Sequence, residues 1–174
     1  MGKQINNPYG RIERYISSLP KELLIGHRLP AKEYSDDVIP FEVYRGIPSY
    51  IRRIANQINK SFHFEIYDGC LVLMRRLTET LLILTYVKFG VGSVIKDEAG
   101  NYFRLSNIIN NALSNSTLSL TSNSKKSLKH FAIGGNLSAH NLYFTARKKD
   151  ISPELRLQFR AMVEELLNKG GLLK

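Results

Sequence analysis

The sequence predicts an all-α protein, a bundle of four to six helices preceded by an N-terminal arm. Three observations predict it. After Gly46, apolar residues recur at intervals of three and four over most of the chain; no internal repeat or strand-rich region interrupts them; and Pro or Gly stands where several of these runs begin or stop. With 174 residues, 43% of them hydrophobic and 23% charged, the chain is long enough and apolar enough for one domain with a real core. The boundary is expected near Tyr44, dividing an arm over 1–44 from a bundle domain over 45–174.

Within the arm, "GRIERYISSL" places Ile12, Tyr15, Ile16 and Leu19 at helical spacing, and Pro20 ends the run. The spacing from Pro20 to Pro40 is irregular, and "YSDDVIP" reads as a loop. The domain proper opens with Pro48 in a first turn, followed by Ile51, Ile54 and Ile58 on one face and Arg52, Arg53, Gln57 and Lys60 opposite, a helix over 47–60. Next, "IYDGCLVLMRRLTETLLILTYVKFG" is apolar almost all round, the pattern of a central helix contacted on several sides, and Gly90 ends it. Between Val94-Ile95 and Tyr102-Phe103 the turn cluster Asp97–Asn101 predicts a small hairpin near 93–104 or an extended loop. A short helix is expected over Leu105–Leu113, then a Ser/Thr/Asn-rich loop over 114–124. Ser122 or Asn123 is expected to cap a helix bearing Lys125, Lys126 and Lys129, with Leu128 and Phe131 inward. Ser152-Pro153 starts the last helix, whose stripe of Leu155, Phe159, Met162, Val163, Leu166 and Leu167 is closed by Gly170-Gly171.

The net charge of +10 is unevenly spread. Residues 1–60 hold 10 basic and 6 acidic side chains, 61–120 hold 5 and 5, and 121–174 hold 10 and 4. Such a field favours polyanions, RNA among them, through counterion release. The single cysteine, Cys70, excludes an intramolecular disulfide and a multi-cysteine zinc site, and sits among Leu71, Val72 and Leu73 as a small buried hydrophobe. No two of His27, His63, His130 and His140 have the spacing of a helical metal pair, and no phosphate-cradling loop or serine elbow occurs, so no metal or cofactor is expected. The longest apolar run is broken by Arg75, Arg76 and Glu79, which argues against a membrane span, and the chain reads as soluble and cytoplasmic.

Two features carry the functional reading. Arg75 and Glu79 share a face of the central helix and Arg76 points about 100° away, so at least one charge is expected to meet a partner inside the bundle or at a seam between chains. In "GGNLSAHNLYFTARKKD", Asn136 and His140 are one helical turn apart if the backbone through Gly134-Gly135 is helical. Tyr143 and Phe144 offer stacking faces, and Arg147, Lys148 and Lys149 follow, while Lys125, Lys126 and Lys129 precede. Basic residues interleaved with aromatics suit a single-stranded nucleic acid. A lone histidine at a helix end equally serves packing or capping.

"YDGCLVLMRRLTETLLI" together with "GGNLSAHN" resembles the bacterial domain-of-unknown-function family numbered 4145, placed in the HEPN superfamily, over roughly Tyr44 to Gly171. The resemblance implies a bundle of about four helices, often a homodimer, in antiphage defence, toxin or RNA-processing settings. It also implies metal-independent RNA chemistry at the dimer cleft, with His140 as acid or base and Asn136 at the polar position. The phosphate-holding Arg of that pattern is missing, its candidate positions being Ile133, Gly134 and Gly135. The expectation is therefore a non-catalytic or weakly catalytic HEPN-like module. It would bind RNA or a nucleotide-bearing partner at a cleft built from Arg76, Glu79, Asn136 and His140, in a defence or stress-response setting. The alternatives are a metal-independent endoribonuclease acting through His140, and a protein–protein module of a defence system with no nucleic-acid role.

Overall fold

The computed structural model describes residues 36–140 and 145–173, the side chains of 132–140 excepted. The arm's expected helix over residues 10–19 lies outside the described residues. Six α-helices occur among them: α1 Phe41–Tyr44, α2 Ser49–His63, α3 Tyr67–Lys88, α4 Leu105–Ser114, α5 Ser122–His140 and α6 Pro153–Lys169. None is long and apolar enough to cross a membrane.

α2 begins directly after Pro48, whose fixed φ is already suited to a helix start, and it buries Ile51, Ile54, Ala55, Ile58 and Phe62 along one face. The chain reverses into α3 through Phe64–Ile66. Ile66 N–H donates to Ser61 O at 2.8 Å and Glu65 N–H to Phe62 O at 3.1 Å, a closure that needs one left-handed residue. Glu65 supplies it with φ 61°. α3 ends by the same device, Val91 N–H donating to Tyr86 O and Gly90 N–H to Val87 O, both at 3.0 Å. Here the left-handed residue is the expected Gly90, φ 71°.

α3 is the central helix. It packs against α2, α5 and α6 and fully buries Cys70, Met74, Leu81, Leu82 and Tyr86. Its sequence is apolar almost all round, yet one side stays open to solvent: Val72 and Val87 are exposed along with Arg76, while Arg75 and Glu79 are half-buried.

The expected hairpin contracts to a single antiparallel bridge, Lys96 to Tyr102, after a 3-10 turn at Gly92–Ile95. Asp97 Oδ1 accepts the Asn101 N–H at 2.8 Å within the turn, and one backbone hydrogen bond flanks the bridge on each side, Asp97 N–H to Asn101 O at 2.9 Å and Phe103 N–H to Ile95 O at 3.0 Å. α5 also starts differently from the expectation. Its cap is Thr121, whose hydroxyl accepts the Ser124 N–H at 3.2 Å and whose carbonyl accepts the Lys125 N–H at 3.0 Å, so Ser122 and Asn123 fall inside the first turn. Leu128 and Phe131 point inward as expected. α6 has the expected start, the Ser152 hydroxyl accepting the Leu155 N–H at 3.2 Å ahead of Pro153. Its stripe of Phe159, Met162, Val163, Leu166 and Leu167 is buried.

Side-chain pairings set the directions of the long helices. Thr85 Oγ1 lies 3.4 Å from Leu166 O, late in both α3 and α6, so these two run parallel. α5 runs against α6, with Ser124 beside Glu165 and the Phe131 and Phe159 rings 4.8 Å apart. α2 runs against α3 through its tight connection. One end of the bundle therefore gathers the starts of α3 and α6 with the last turn of α2, and the other gathers the start of α5 with the finish of α3 and α6. Val38 and Ile39, upstream of the boundary expected near Tyr44, are fully buried in this core.

Candidate nucleic-acid interface

The basic residues singled out from the sequence divide into two groups. Lys125, Lys126 and Lys129 lie in the first two turns of α5, with Lys126 and Lys129 exposed and Lys125 half-exposed. Arg147, Lys148 and Lys149 are exposed just past the other end of that helix, where Lys148 and Lys149 enter a 3-10 turn at Lys148–Ile151. From Lys129 the helix continues for 11 residues to its end at His140, so roughly 17 Å of helix at 1.5 Å per residue stands between the two groups. They form two ends of a track, not one patch.

Local hydrogen bonds fix the second group. Asp68, in the first turn of α3, accepts the Ala146 N–H at 3.0 Å and holds the chain entering the basic tripeptide. Asp150 Oδ2 accepts the Arg147 N–H at 2.8 Å, which leaves the three basic side chains to project from the turn.

α5 runs as one helix from Ser122 to His140, straight through Gly134-Gly135. Asn136 and His140 therefore stand one turn apart on a single face. Their side chains lie outside the described residues, as does the whole of Tyr143. On α3, Arg76 is exposed and Glu79 half-buried, one turn from each other. Among the described residues no group of His, Cys, Asp and Glu is placed to hold a metal ion. Cys70 is fully buried, and burial pushes its thiol up to about 12, which makes it inert as a nucleophile.

One signal overlooked in reading the sequence now has a structural meaning. No acidic residue occurs between Glu98 and Asp150, a stretch that holds α4, α5 and the connections around them. The exposed positions of α4 are Ser106, Asn107, Asn110 and Ser114, all neutral hydrogen-bonding groups. Carboxylates gather elsewhere. An open groove of about 840 Å³ is lined by Glu42, Glu164 and Glu165 together with Thr121, Asn123 and Lys169, and three carboxylates make it hostile to a polyanion.

The structure also assembles a charged cluster that sequence reasoning missed altogether. At the end where α3 and α6 begin, residues Asp36–Pro40 lie across the bundle as a strap. Arg156 donates to Asp36 O at 2.7 Å and to Asp36 Oδ1 at 2.5 Å. Arg160 donates to Val38 O at 2.8 Å and to Asp37 O. His63 Nε2 lies 2.6 Å from Asp37 Oδ1, within hydrogen-bond distance. Asn59, buried on the apolar face of α2, accepts the Ile39 N–H at 3.0 Å and donates to Ile39 O at 2.8 Å. Arg156 is itself only 7% exposed; its Nε finds no hydrogen-bond partner among the described residues, and its guanidinium carbon lies 4.9 Å from the Phe62 ring centroid. The Arg156 hydrogen bond, reinforced by the charge of Lys148, holds the Asp36 carboxyl below the usual carboxylate range.

Comparison with family models, curated proteins and solved structures finds no match for the chain.

Proposed function

We propose that this protein is an RNA-binding helical module whose contact surface runs along α5, from Lys126 and Lys129 to Arg147, Lys148 and Lys149. The observation that carries this reading is the separation of charge: exposed cations near both ends of α5, in a stretch of sequence without a carboxylate. Two basic groups with roughly 17 Å of helix between them suit several nucleotides of single strand better than one isolated phosphate. The HEPN-like resemblance agrees with this reading and adds an expected defence or stress-response setting. The absent phosphate-holding Arg makes the module non-catalytic or weakly catalytic.

The test is binding of labelled single-stranded RNA across a salt series. Affinity falls steeply with salt, and the double reversals Lys126→Glu/Lys129→Glu and Lys148→Glu/Lys149→Glu each weaken it by about tenfold or more while reducing the salt slope by roughly 0.7 per contact removed. Salt-independent binding, or wild-type affinity in both variants, overturns the reading and leaves a protein–protein module in its place.

One observation favours a second reading, the metal-independent endoribonuclease. The unbroken helix keeps Asn136 and His140 one turn apart, as shared action on one scissile phosphate requires. That reading demands cleavage in EDTA that yields 2',3'-cyclic phosphate ends and is lost in His140→Ala. Cleavage abolished by EDTA sinks it.

A further inference from the structure

We propose that Tyr102, flanked by Phe103 and Phe89, is a base-stacking site that takes unpaired RNA bases at the end of the bundle where α5 begins. This site presupposes the RNA-binding surface along α5, to which it adds what cations do not supply. Cations hold any polyanion by its phosphates, whereas a ring face selects a strand whose bases are free to stack.

From the last turns of α3 to the start of α4, the chain exposes Val87, Phe89, Val94, Tyr102 and Phe103. Single exposed apolar residues are ordinary, but such a run on one connection marks a contact surface. Cations accompany it, with Lys88 and Arg104 exposed and Lys96 half-exposed. Of the two carboxylates in the loop, Asp97 is turned to Asn101, accepting its N–H at 2.8 Å and its side-chain amide at 3.4 Å. Past Glu98 no further carboxylate occurs before Asp150, so Tyr102 and Phe103 open the same carboxylate-free stretch that carries α5. A patch of rings and cations suits a nucleic acid better than a purely apolar partner.

Tyr102 is the ring best placed to stack. It is 43% exposed, and its backbone is fixed by the bridge to Lys96 and by the hydrogen bonds on either side of that bridge. Ile95, next to Lys96, is buried in the core and anchors the loop. Little conformational freedom is therefore lost when a base arrives. Lys96 Nζ stands 4.7 Å from the Tyr102 ring centroid, which puts a cation on one face and leaves the opposite face for a base. The same ammonium supplies a charge for the adjoining phosphate. The loop follows directly on the finish of α3, where α5 starts with Lys125, Lys126 and Lys129, and α4, which begins just after Tyr102, packs against α5.

The test measures binding of an oligouridine of about ten nucleotides to the full chain across a salt series. Tyr102→Ala weakens binding by about tenfold with the salt slope unchanged, because a ring face releases no counterions, and Tyr102→Phe recovers most of the loss. An abasic strand of the same length, which keeps the phosphates and lacks the bases, binds wild type and Tyr102→Ala alike. On the wild-type protein, iodouridine placed in the strand crosslinks under ultraviolet light to the peptide that holds Tyr102 and Phe103, a result independent of how any variant folds. Oligouridine affinity unchanged in Tyr102→Ala, as expected of a patch that docks another protein, overturns the stacking site while leaving the α5 surface in place; so do crosslinks confined to other peptides. Absence of any salt-dependent binding by the wild type overturns both.

Discussion

α6 fastens the molecule at both of its ends, by opposite chemistries. Near its start, Arg156 and Arg160 reach out to carbonyls and a carboxylate of the strap. Near its finish, Glu165 reaches the start of α5, where its two oxygens accept the Thr121 N–H at 2.9 Å, the Thr121 hydroxyl at 2.6 Å and the Ser124 hydroxyl at 2.5 Å. Each anchor has the sign of what it meets. A chain segment crossing the bundle offers acceptors, which call for cations, whereas a helix start offers unpaired N–H donors and a positive dipole end, which call for a carboxylate. The difference that matters for stability is which partner is buried. Arg156 is enclosed and Asp36 is half in water, with side chains 9% and 51% exposed, while at the other end the ion itself, Glu165, is the enclosed member at 13%.

The largest expected effect tests whether the two ends belong to one cooperative unit. Phe159 is fully buried between them, and Phe159→Ala should cost about 3–5 kcal/mol in denaturant unfolding. The strap and the α5 start should be lost in a single transition; two separated transitions would show ends that fold independently. Next in size is an asymmetry within one ion pair. Asp36→Asn strands an enclosed guanidinium without its countercharge, whereas Arg156→Met leaves a carboxylate that water can solvate. The first should cost about 2 kcal/mol and the second about 1, after allowance for the exposure of Asp36. Equal costs would mean that burial does not set the price of breaking the pair.

At the other end, Glu165→Gln should cost about 1–2 kcal/mol at neutral pH, since it weakens charge-assisted bonds to a helix start. Burial pushes the Glu165 carboxyl up, but the bonds from Ser124 and Thr121 and the charge of Lys169 outweigh it and hold the carboxyl below its ordinary value. A depressed carboxylate contributes its stability above its unfolded pKa and loses it as pH falls through the folded value. The gap between wild type and Glu165→Gln should therefore close in acid. Thermal unfolding from about pH 7 down to about pH 3 reads this trend. The smallest effect concerns Glu65. Its left-handed backbone does the work that Gly90 does at the end of α3, so Glu65→Gly should be neutral or gain about 0.5 kcal/mol.

Much of the bundle was legible because its signals are local. Ile51, Ile54 and Ile58 announce α2, Gly90 marks the end of α3, and Ser152-Pro153 with the stripe from Phe159 to Leu167 delimits α6, since caps and periodic faces act within one or two turns of chain. Of the site, the basic residues were readable but their arrangement was not. Lys125–Lys129 and Arg147–Lys149 look like one cluster in a sequence of alternating loops and helices, and an unbroken helix through Gly134-Gly135 sets them apart. The cap at Thr121 was misread by one residue because Thr121, Ser122 and Asn123 are all good caps in isolation, and the carboxylate of Glu165, far along the chain, engages Thr121.

By itself, the sequence determined an all-α chain, the extents of its long helices, the inert placement of Cys70 and a carboxylate-free stretch that ends in a basic tripeptide. Each follows from periodicity, capping or charge over a few neighbouring residues. Tertiary structure alone decided that Asp36, Asp37, His63, Arg156 and Arg160 would meet, and that Glu165 would close α5. Those residues are brought together only by burying the apolar faces of α2, α3, α5 and α6 against one another, and the hydrophobic effect that drives this is non-directional. The polar contacts become determined once packing has placed their partners within hydrogen-bond reach.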